Sequence, residues 1–153
     1  MAERRSCTDP PICGVELRSA APTDVDDVLA FWQLAAEDAD RPADRRDAVE
    51  GLVSRDPDAL LLATHGRRIV GCVIAGWDGW RAHLYRLAVH PDYRRQGLAR
   101  WLLGAAEERL ARHGAIRFDA MVLDGNDSAH TMWSAAGYTS QESWSRWVKP
   151  ADA

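Results

Sequence analysis

The sequence has no long hydrophobic run and almost no lysine. No apolar stretch approaches the roughly 20 residues that span a bilayer, and the opening MAERRSCTDP lacks the apolar core of a secretion signal. We therefore expect a cytoplasmic protein with no membrane partner. Lys149 is the single lysine, which excludes the Gly-Lys-Ser/Thr loop of P-loop NTPases and argues against most Schiff-base chemistry.

Cysteine is also scarce. Cys7, Cys13 and Cys72 are odd in number and form no C-x-x-C pair, a pattern that favours a reducing compartment. The five histidines form no H-E-x-x-H motif and join no cysteine cluster, so we expect no metal. Basic residues number 19 against 23 acidic ones, and the net charge of −4 disfavours nucleic acid as a partner.

The length of 153 residues fits one compact domain. Residues 1–13 carry two prolines and no periodicity, and we interpret them as a flexible N-terminal leader. A single domain is then expected over 14–149, with a short tail at 150–153.

Hydrophobic periodicity predicts an alternation of strands and helices. Thr23 and Asp26 resemble a capping box at the start of the first helix, and Asp78-Gly79 predicts a tight hairpin turn with positive φ at both positions. Strands are predicted at 15–19, 59–64, 69–75, 81–90, 116–123 and 139–148, and helices from Thr23, at 43–54, at 97–113 and after Asn126.

This order predicts a mixed α/β fold. The strand, helix and strand between Arg81 and Leu123 require a right-handed crossover, and therefore one parallel pair inside the sheet. Ligands of such units bind at the carboxyl ends of the strands, close to the start of the helix.

The junction at that point reads VHPDYRRQGLA over residues 89–99. Gly97 and Ala99 at the mouth of a helix leave main-chain N–H groups without intrahelical partners and give a ligand access to the backbone. The helix dipole and the positive charges of Arg94, Arg95 and Arg100 favour an anion there. The pattern predicts a pyrophosphate site that is neither a dinucleotide G-x-G-x-x-G loop nor a P-loop.

The same residues resemble a known family. Residues 94–99, RRQGLA, match the R/Q-x-x-G-x-G/A signature of the GNAT superfamily of acetyl-CoA-dependent N-acetyltransferases. Asn126, Ala129 and Gly137-Tyr138 resemble the family's N-x-x-A-x-x-x-Y-x-x-x-G-F/Y segment. The resemblance implies a GNAT-like fold, in which a mostly antiparallel sheet has a parallel pair splayed around the cofactor and helices on both faces.

The resemblance also implies a set of contacts with acetyl-CoA as cosubstrate. Main-chain groups of the strand pair with the pantetheine amides, amides of the turn and helix start hold the pyrophosphate, and Asn126 reaches the pantetheine arm. The implied cofactor-binding residues are Leu87, Ala88, Val89, Arg94, Arg95, Gln96, Gly97, Leu98, Ala99, Arg100, Asn126 and Trp133.

The implied catalytic groups depart from the family pattern. Trp133 takes the place of the tyrosine that protonates the departing thiolate, and an indole N–H cannot give up its proton at working pH. Tyr138, Tyr85, Ser134 or a water molecule remain as substitutes. No acid stands where some members carry a glutamate base, and His83 is the best candidate because imidazole titrates near working pH. Strand alternation places His83, Tyr85, Leu87 and Val89 on one face.

Ordinary structural roles compete with several of these assignments. The basic turn is by itself compatible with a solvated loop, His83 with a structural histidine, and Asn126 with a plain helix cap. The tryptophans at 77, 80, 144 and 147 fit packing or dimer contacts as well as an aromatic substrate box. The acids at 37, 38, 40, 44 and 47 either steer a cationic acceptor or form the solvated face of two helices.

The sequence thus predicts an acyltransferase that moves an acetyl group from acetyl-CoA to a primary amine by direct attack in a ternary complex. Two other interpretations stay open, a non-catalytic acyl-CoA-binding module and a nucleotide-binding regulatory domain. The acceptor is unspecified, with a polyamine, an amino acid, an aminoglycoside and a protein N-terminus all compatible. The oligomeric state is left open, and a homodimer is a possible assembly because it is the commonest one among soluble proteins.

Overall fold

The computed structural model describes residues 9–35 and 41–151. Two compact units divide the chain, one ending at Met121 and the other beginning at Val122. The first unit carries the sheet and three helices, and the second carries one helix followed by a stretch that forms neither helix nor strand as far as residue 151. No helix in these ranges is long and apolar enough to cross a membrane.

The elements follow the predicted order up to the last one. Short 3₁₀ turns, Pro22–Asp24 and Pro91–Tyr93, precede two of the helices. The strands are β1 (Val15–Ser19), β2 (Leu60–His65), β3 (Arg68–Trp77), β4 (Ala82–Val89) and β5 (Phe118–Ala120), and the helices are α1 (Val25–Ala35), α2 (Arg46–Arg55), α3 (Leu98–Arg112) and α4 (Asp127–Ala135).

The five strands form one sheet in chain order, β1-β2-β3-β4-β5. The first three pairings are antiparallel, and β4 and β5 run parallel. The predicted mixed sheet with one parallel pair is therefore confirmed, as is the crossover through α3 that joins that pair.

Consecutive residues of β3 show that helices cover both faces of the sheet. The indole Nε1 of Trp32 in α1 donates to the Cys72 sulfur at 3.2 Å, on the face where α2 also packs. On Gly71, a Cβ would lie 2.8 Å from a methyl group of Leu102 in α3. Because adjacent strand residues point to opposite faces, α1 and α2 lie on one side of the sheet and α3 on the other.

The last predicted strand is wrong. Residues 139–148 adopt no strand, and Trp144 and Trp147 are 77% and 93% exposed. The alternation of tryptophan with polar residues is the pattern of a strand with one buried face. A strand also needs a neighbouring strand to pair with and a surface to pack against, and the alternation provides neither. The preceding strand is shorter than predicted for the same reason, since β5 is paired over only three residues.

Two local turns also differ from the prediction. The first helix starts after Pro22–Asp24, where the Asp24 carboxylate accepts from the Ala21 N–H at 2.7 Å, so Asp24 and not Thr23 is the capping side chain. At Asp78-Gly79 only Gly79 has a positive φ, of +91°. The Asp78 carboxylate accepts from the N–H groups of Trp80 and Arg81, at 2.7 and 2.6 Å, which closes a four-residue loop in place of the predicted two-residue turn.

Replacement of Asp24 by asparagine tests the first of these turns. The Arg18 guanidinium, hydrogen-bonded to Asp24 at 2.7 and 2.8 Å, lowers the pKa of this carboxyl below its ordinary 3.8. The ionised carboxylate therefore stabilises the fold above pH 3.8, and this contribution is lost as pH falls through the lower folded-state pKa. Asparagine keeps an accepting oxygen but loses the charge, so we expect Asp24→Asn to cost about 0.5 kcal/mol in urea unfolding at neutral pH, as for a solvent-accessible ion pair, and nothing at strongly acid pH. A difference that is constant with pH would contradict this assignment.

Candidate active site

Strand β4 has an open backbone edge. It pairs with β3 as far as Val89, but with β5 only at Ala82, His83 and Leu84. Within the described ranges, no strand pairs with the outer edge of residues 85–89. An unpaired edge presents a row of N–H and C=O groups to whatever lies beside it.

Hydrogen bonding to β3 fixes which groups point to this open edge. The His90 N–H donates to the Val70 carbonyl at 2.8 Å, towards β3. Because antiparallel residues alternate in direction, the main-chain groups of Val89 point away from β3. The Arg94 Nε donates to the Val89 carbonyl at 3.2 Å, so one turn arginine already contacts this edge.

A β-bulge interrupts β4 in the middle of the open stretch. Tyr85 pairs with Ile74, but Ala88 pairs with Cys72, so one extra residue stands in β4 between them. Arg86 takes up the bulge with a φ of +52°. The predicted common face is therefore wrong, because Tyr85 lies opposite Ile74 while Val89 lies opposite Gly71, on the other face of β3.

The turn after β4 is held by side chains from the β2–β3 hairpin. His90 is buried, and its Nε2 accepts from the Arg68 guanidinium at 2.6 Å. The Tyr93 hydroxyl is hydrogen-bonded to His65 Nδ1 at 2.9 Å. These contacts on both sides of Pro91–Tyr93 fix the direction in which the chain enters α3.

Gly97 makes the turn into α3 possible. Its φ of +85° is one that only glycine adopts readily, and Arg95, with φ +60°, shares the left-handed turn. The first helical bond runs from the Trp101 N–H to the Gly97 carbonyl, at 3.1 Å. The first N–H groups of the helix thus face the turn without intrahelical acceptors.

The space on one side of Gly97 is bounded by the N-terminal segment. A Cβ on Gly97 would lie 3.5 Å from the Pro11 ring, which is ordinary contact distance. Glycine is therefore required here by its backbone conformation more than by a close approach on that side. Arg94, Arg95 and Arg100 add positive charge to the same turn, and together with the helix start they favour an anion there.

His83 and Tyr85 lie where β4 and β5 separate. The last paired position is Leu84 with Ala120, and His83 is opposite Gly76 on β3 and Asp119 on β5. The rings of His83 and Tyr85 are 5.8 Å apart, and Tyr85 is 47% exposed. A Cβ on Gly76 would lie 3.2 Å from the Tyr85 ring, so this glycine makes room for the tyrosine.

The remaining predicted residues lie in the second unit. Asn126 caps α4, with its side-chain oxygen accepting from the Ala129 N–H at 2.9 Å. The rings of Trp133 and Tyr138 meet edge to face at 4.8 Å. The structure thus brings the predicted residues together as two groups, those of β4 and the turn in the first unit and those of α4 in the second.

A polar cluster beside the bulge escaped sequence reasoning. The Arg86 guanidinium forms an ion pair with Asp44, which also lies 3.5 Å from Arg41. The Arg86 guanidinium also lies 5.1 Å from the centre of the Trp32 ring. No sequence signal marks a positive φ on an arginine or a contact across 42 residues. A mid-strand arginine in an otherwise apolar run is the only hint the sequence offers.

The predicted acidic surface is mostly neutralised where the structure describes it. Asp44 pairs with Arg86 and Asp47 with Arg45, which weakens the hypothesis of long-range attraction for a cationic acceptor. Residues 37, 38 and 40 lie outside the described ranges. Among the residues that are described, no group of histidine, cysteine and acidic side chains could hold a metal ion.

Comparison with known proteins identifies the chain. Residues 25–138 match the Acetyltransferase (GNAT) family. Acetyltransferase SG1711 of Sodalis glossinidius is 33% identical over 130 residues, which cover 84% of this chain and 90% of the relative.

Solved structures show the same fold at low sequence identity. The PaiA N-acetyltransferase of Thermoplasma acidophilum, in complex with coenzyme A, has a TM-score of 0.75 at 14% identity, covering 84% of this chain and 91% of that one. AAC(6')-Iy, in complex with the bisubstrate analogue CoA-S-monomethyl-acetylneamine, has a TM-score of 0.70 at 18% identity, covering 90% and 99%.

The sheet with its split parallel pair and the curated relatives together define an acetyltransferase. The chain belongs to the Acetyltransferase (GNAT) family and is an N-acetyltransferase of that type. The family resemblance seen in the sequence is thereby confirmed.

Proposed function

We propose that the protein transfers the acetyl group of acetyl-CoA to a primary amine of a small molecule or of a peptide or protein, by direct attack in a ternary complex. The observation that carries this proposal is the continuous path from the open edge of β4 to the glycine turn at the start of α3. A strand edge suits the amides of a pantetheine arm, and the turn suits a pyrophosphate.

Acetyl-CoA, the cosubstrate of this family, fits the groups that the chain offers. Leu87 and Val89 supply main-chain groups at the open edge, and the amides of residues 95–100 surround the glycine turn. Arg94, Arg95 and Arg100 neutralise the phosphates. Asn126 takes the pantetheine contact that the family resemblance implies, in addition to its role as the cap of α4.

An amine can attack the thioester only when it is neutral. His83 lies where β4 and β5 separate, a place called the fork below. It accepts the proton that the amine must lose. A main-chain N–H of β4 polarises the thioester carbonyl as charge develops on its oxygen. Direct attack needs no acetylated residue, and burial raises the pKa of the Cys72 thiol to about 12, so this thiol is no acetyl carrier.

The thiolate leaves without help from Trp133, because an indole keeps its N–H proton. A thiol with an ordinary pKa near ~8.5 is already a tolerable leaving group. Tyr138, Tyr85, Ser134 or a water molecule can still supply a proton. Among the tyrosines, Tyr85 lies beside His83 in the first unit, and Tyr138 contacts Trp133 in the second.

Release of free thiol from acetyl-CoA tests the proposal. The protein is mixed with acetyl-CoA and, separately, a polyamine, an amino acid, an aminoglycoside and a short peptide with a free N-terminus. We expect thiol release with one acceptor class. Double-reciprocal plots of the initial rate against the concentration of one substrate, at several fixed concentrations of the other, should give intersecting lines, as a ternary complex requires. Cofactor binding without thiol release for any amine would instead support the non-catalytic acyl-CoA-binding module.

A further inference from the structure

We propose that Arg86 is a positioning residue, whose ion pair with Asp44 and stacking on Trp32 hold the β4 bulge so that the Leu87 N–H faces the thioester carbonyl. The inference rests on the proposed function, because it names the N–H that polarises the acetyl group. Arg86, Asp44, Trp32 and Cys72 are called the bulge clamp below.

The conformation of Arg86 needs an external restraint. A left-handed φ of +52° is unfavourable for a residue with a Cβ, and a β-strand offers an extended alternative close by. Left to itself, the residue would relax towards the extended conformation and turn the next peptide group. A conformation of this kind persists only where surrounding contacts determine it.

The side chain of Arg86 supplies such contacts. Its guanidinium pairs with Asp44, and the two side chains are only 22% and 16% exposed. The same group lies over the Trp32 ring at 5.1 Å. Asp44 belongs to the connection between α1 and α2, and Trp32 belongs to α1, so two separate segments hold this one side chain.

The carbonyl of the same residue is held as well. The Cys72 thiol donates to the Arg86 carbonyl at 3.1 Å, and the Trp32 indole donates to the Cys72 sulfur at 3.2 Å. The thiol is fully protonated at neutral pH and remains a donor, since burial raises the pKa of Cys72 to about 12.

Peptide geometry then sets the direction of the next N–H. The bond between Arg86 and Leu87 is trans, because no cis peptide occurs in the described chain. The C=O and N–H of a trans peptide point in opposite directions. With the Arg86 carbonyl directed at Cys72 on β3, the Leu87 N–H points away from Cys72, on the stretch of β4 that β5 leaves open.

The test compares Arg86→Ala, Arg86→Gly and a control, Arg117→Ala, which removes an exposed ion pair on the neighbouring segment. Calorimetry measures the affinity of each protein for acetyl-CoA and for CoA, which lacks the acetyl carbonyl. We expect the wild type to prefer acetyl-CoA by about fivefold, the factor that one hydrogen bond supplies. The alanine variant should lose this preference and keep its affinity for CoA, which reports an intact site.

The glycine variant separates positioning from support of the fold. Glycine adopts a φ of +52° without strain, so Arg86→Gly should regain part of the preference and part of kcat relative to Arg86→Ala. An alanine variant with the wild-type preference would overturn the proposal, as would equal loss of CoA affinity in both variants. If the wild type prefers acetyl-CoA but releases no thiol, the proposed transfer is refuted. The acetyl-CoA preference of the Arg86 variants still tests the bulge clamp in that case.

Discussion

Gly97→Val is expected to weaken acetyl-CoA binding by about 100-fold, equivalent to roughly 2.7 kcal/mol, while the chain still folds. Gly97 has a φ of +85°, a conformation that a β-branched residue adopts only with strain. The turn must rearrange to accept valine, and the amides of residues 95–100 then no longer converge on one point. Calorimetry with acetyl-CoA and urea unfolding measure the two parts of the prediction.

A glycine at the other end of α3 provides the matched control. Gly114 follows the helix with a φ of +95° and would place a Cβ in open space. Gly114→Val imposes comparable backbone strain at the opposite end of α3 from the glycine turn, so it should lower stability to a similar extent and leave the affinity unchanged. Equal loss of binding in both variants, or normal binding by Gly97→Val, would contradict the assigned role of the turn.

The local structure that the sequence predicted around the candidate site depends on signals that lie close together in the chain. The turn over residues 89–99 combines a strand end, a glycine and a helix start, and each has a signal within a few residues. The same is true of the Asn126 cap of α4. Element order then determines the mixed sheet, because one parallel pair follows from the crossover alone.

The parts that sequence reasoning missed depend on contacts between distant segments. The bulge at Arg86 moves every later residue of β4 to the opposite face of the sheet. A prediction from strict alternation along the strand cannot detect such an extra residue. The ion pair of Arg86 with Asp44 arises only once α1 and α2 pack on the sheet. The strand predicted at 139–148 fails for a related reason, since a periodic pattern does not provide a pairing partner.

His83→Gln is expected to lower kcat by about 100-fold, the lower end of what a general base contributes. Glutamine keeps the size and hydrogen-bonding capacity of the side chain but cannot take up a proton at working pH. The KM for acetyl-CoA should change little, because His83 lies at the fork of β4 and β5 and not at the turn. Thiol release under saturating acetyl-CoA measures kcat directly.

The pH dependence of that loss distinguishes a base from a structural histidine. A primary amine of pKa near ~10.4 is increasingly neutral as pH rises, so the deficit of His83→Gln should shrink in alkaline solution. His113→Gln, which removes the histidine stacked on Trp77 at 6.2 Å, should show no such pattern. A deficit that stays constant with pH would assign His83 a structural role. Full activity in His83→Gln combined with Tyr85→Phe would exclude both side chains as the group that takes up the proton, and would move that role to Asp119, which pairs with His83 from β5, or to solvent.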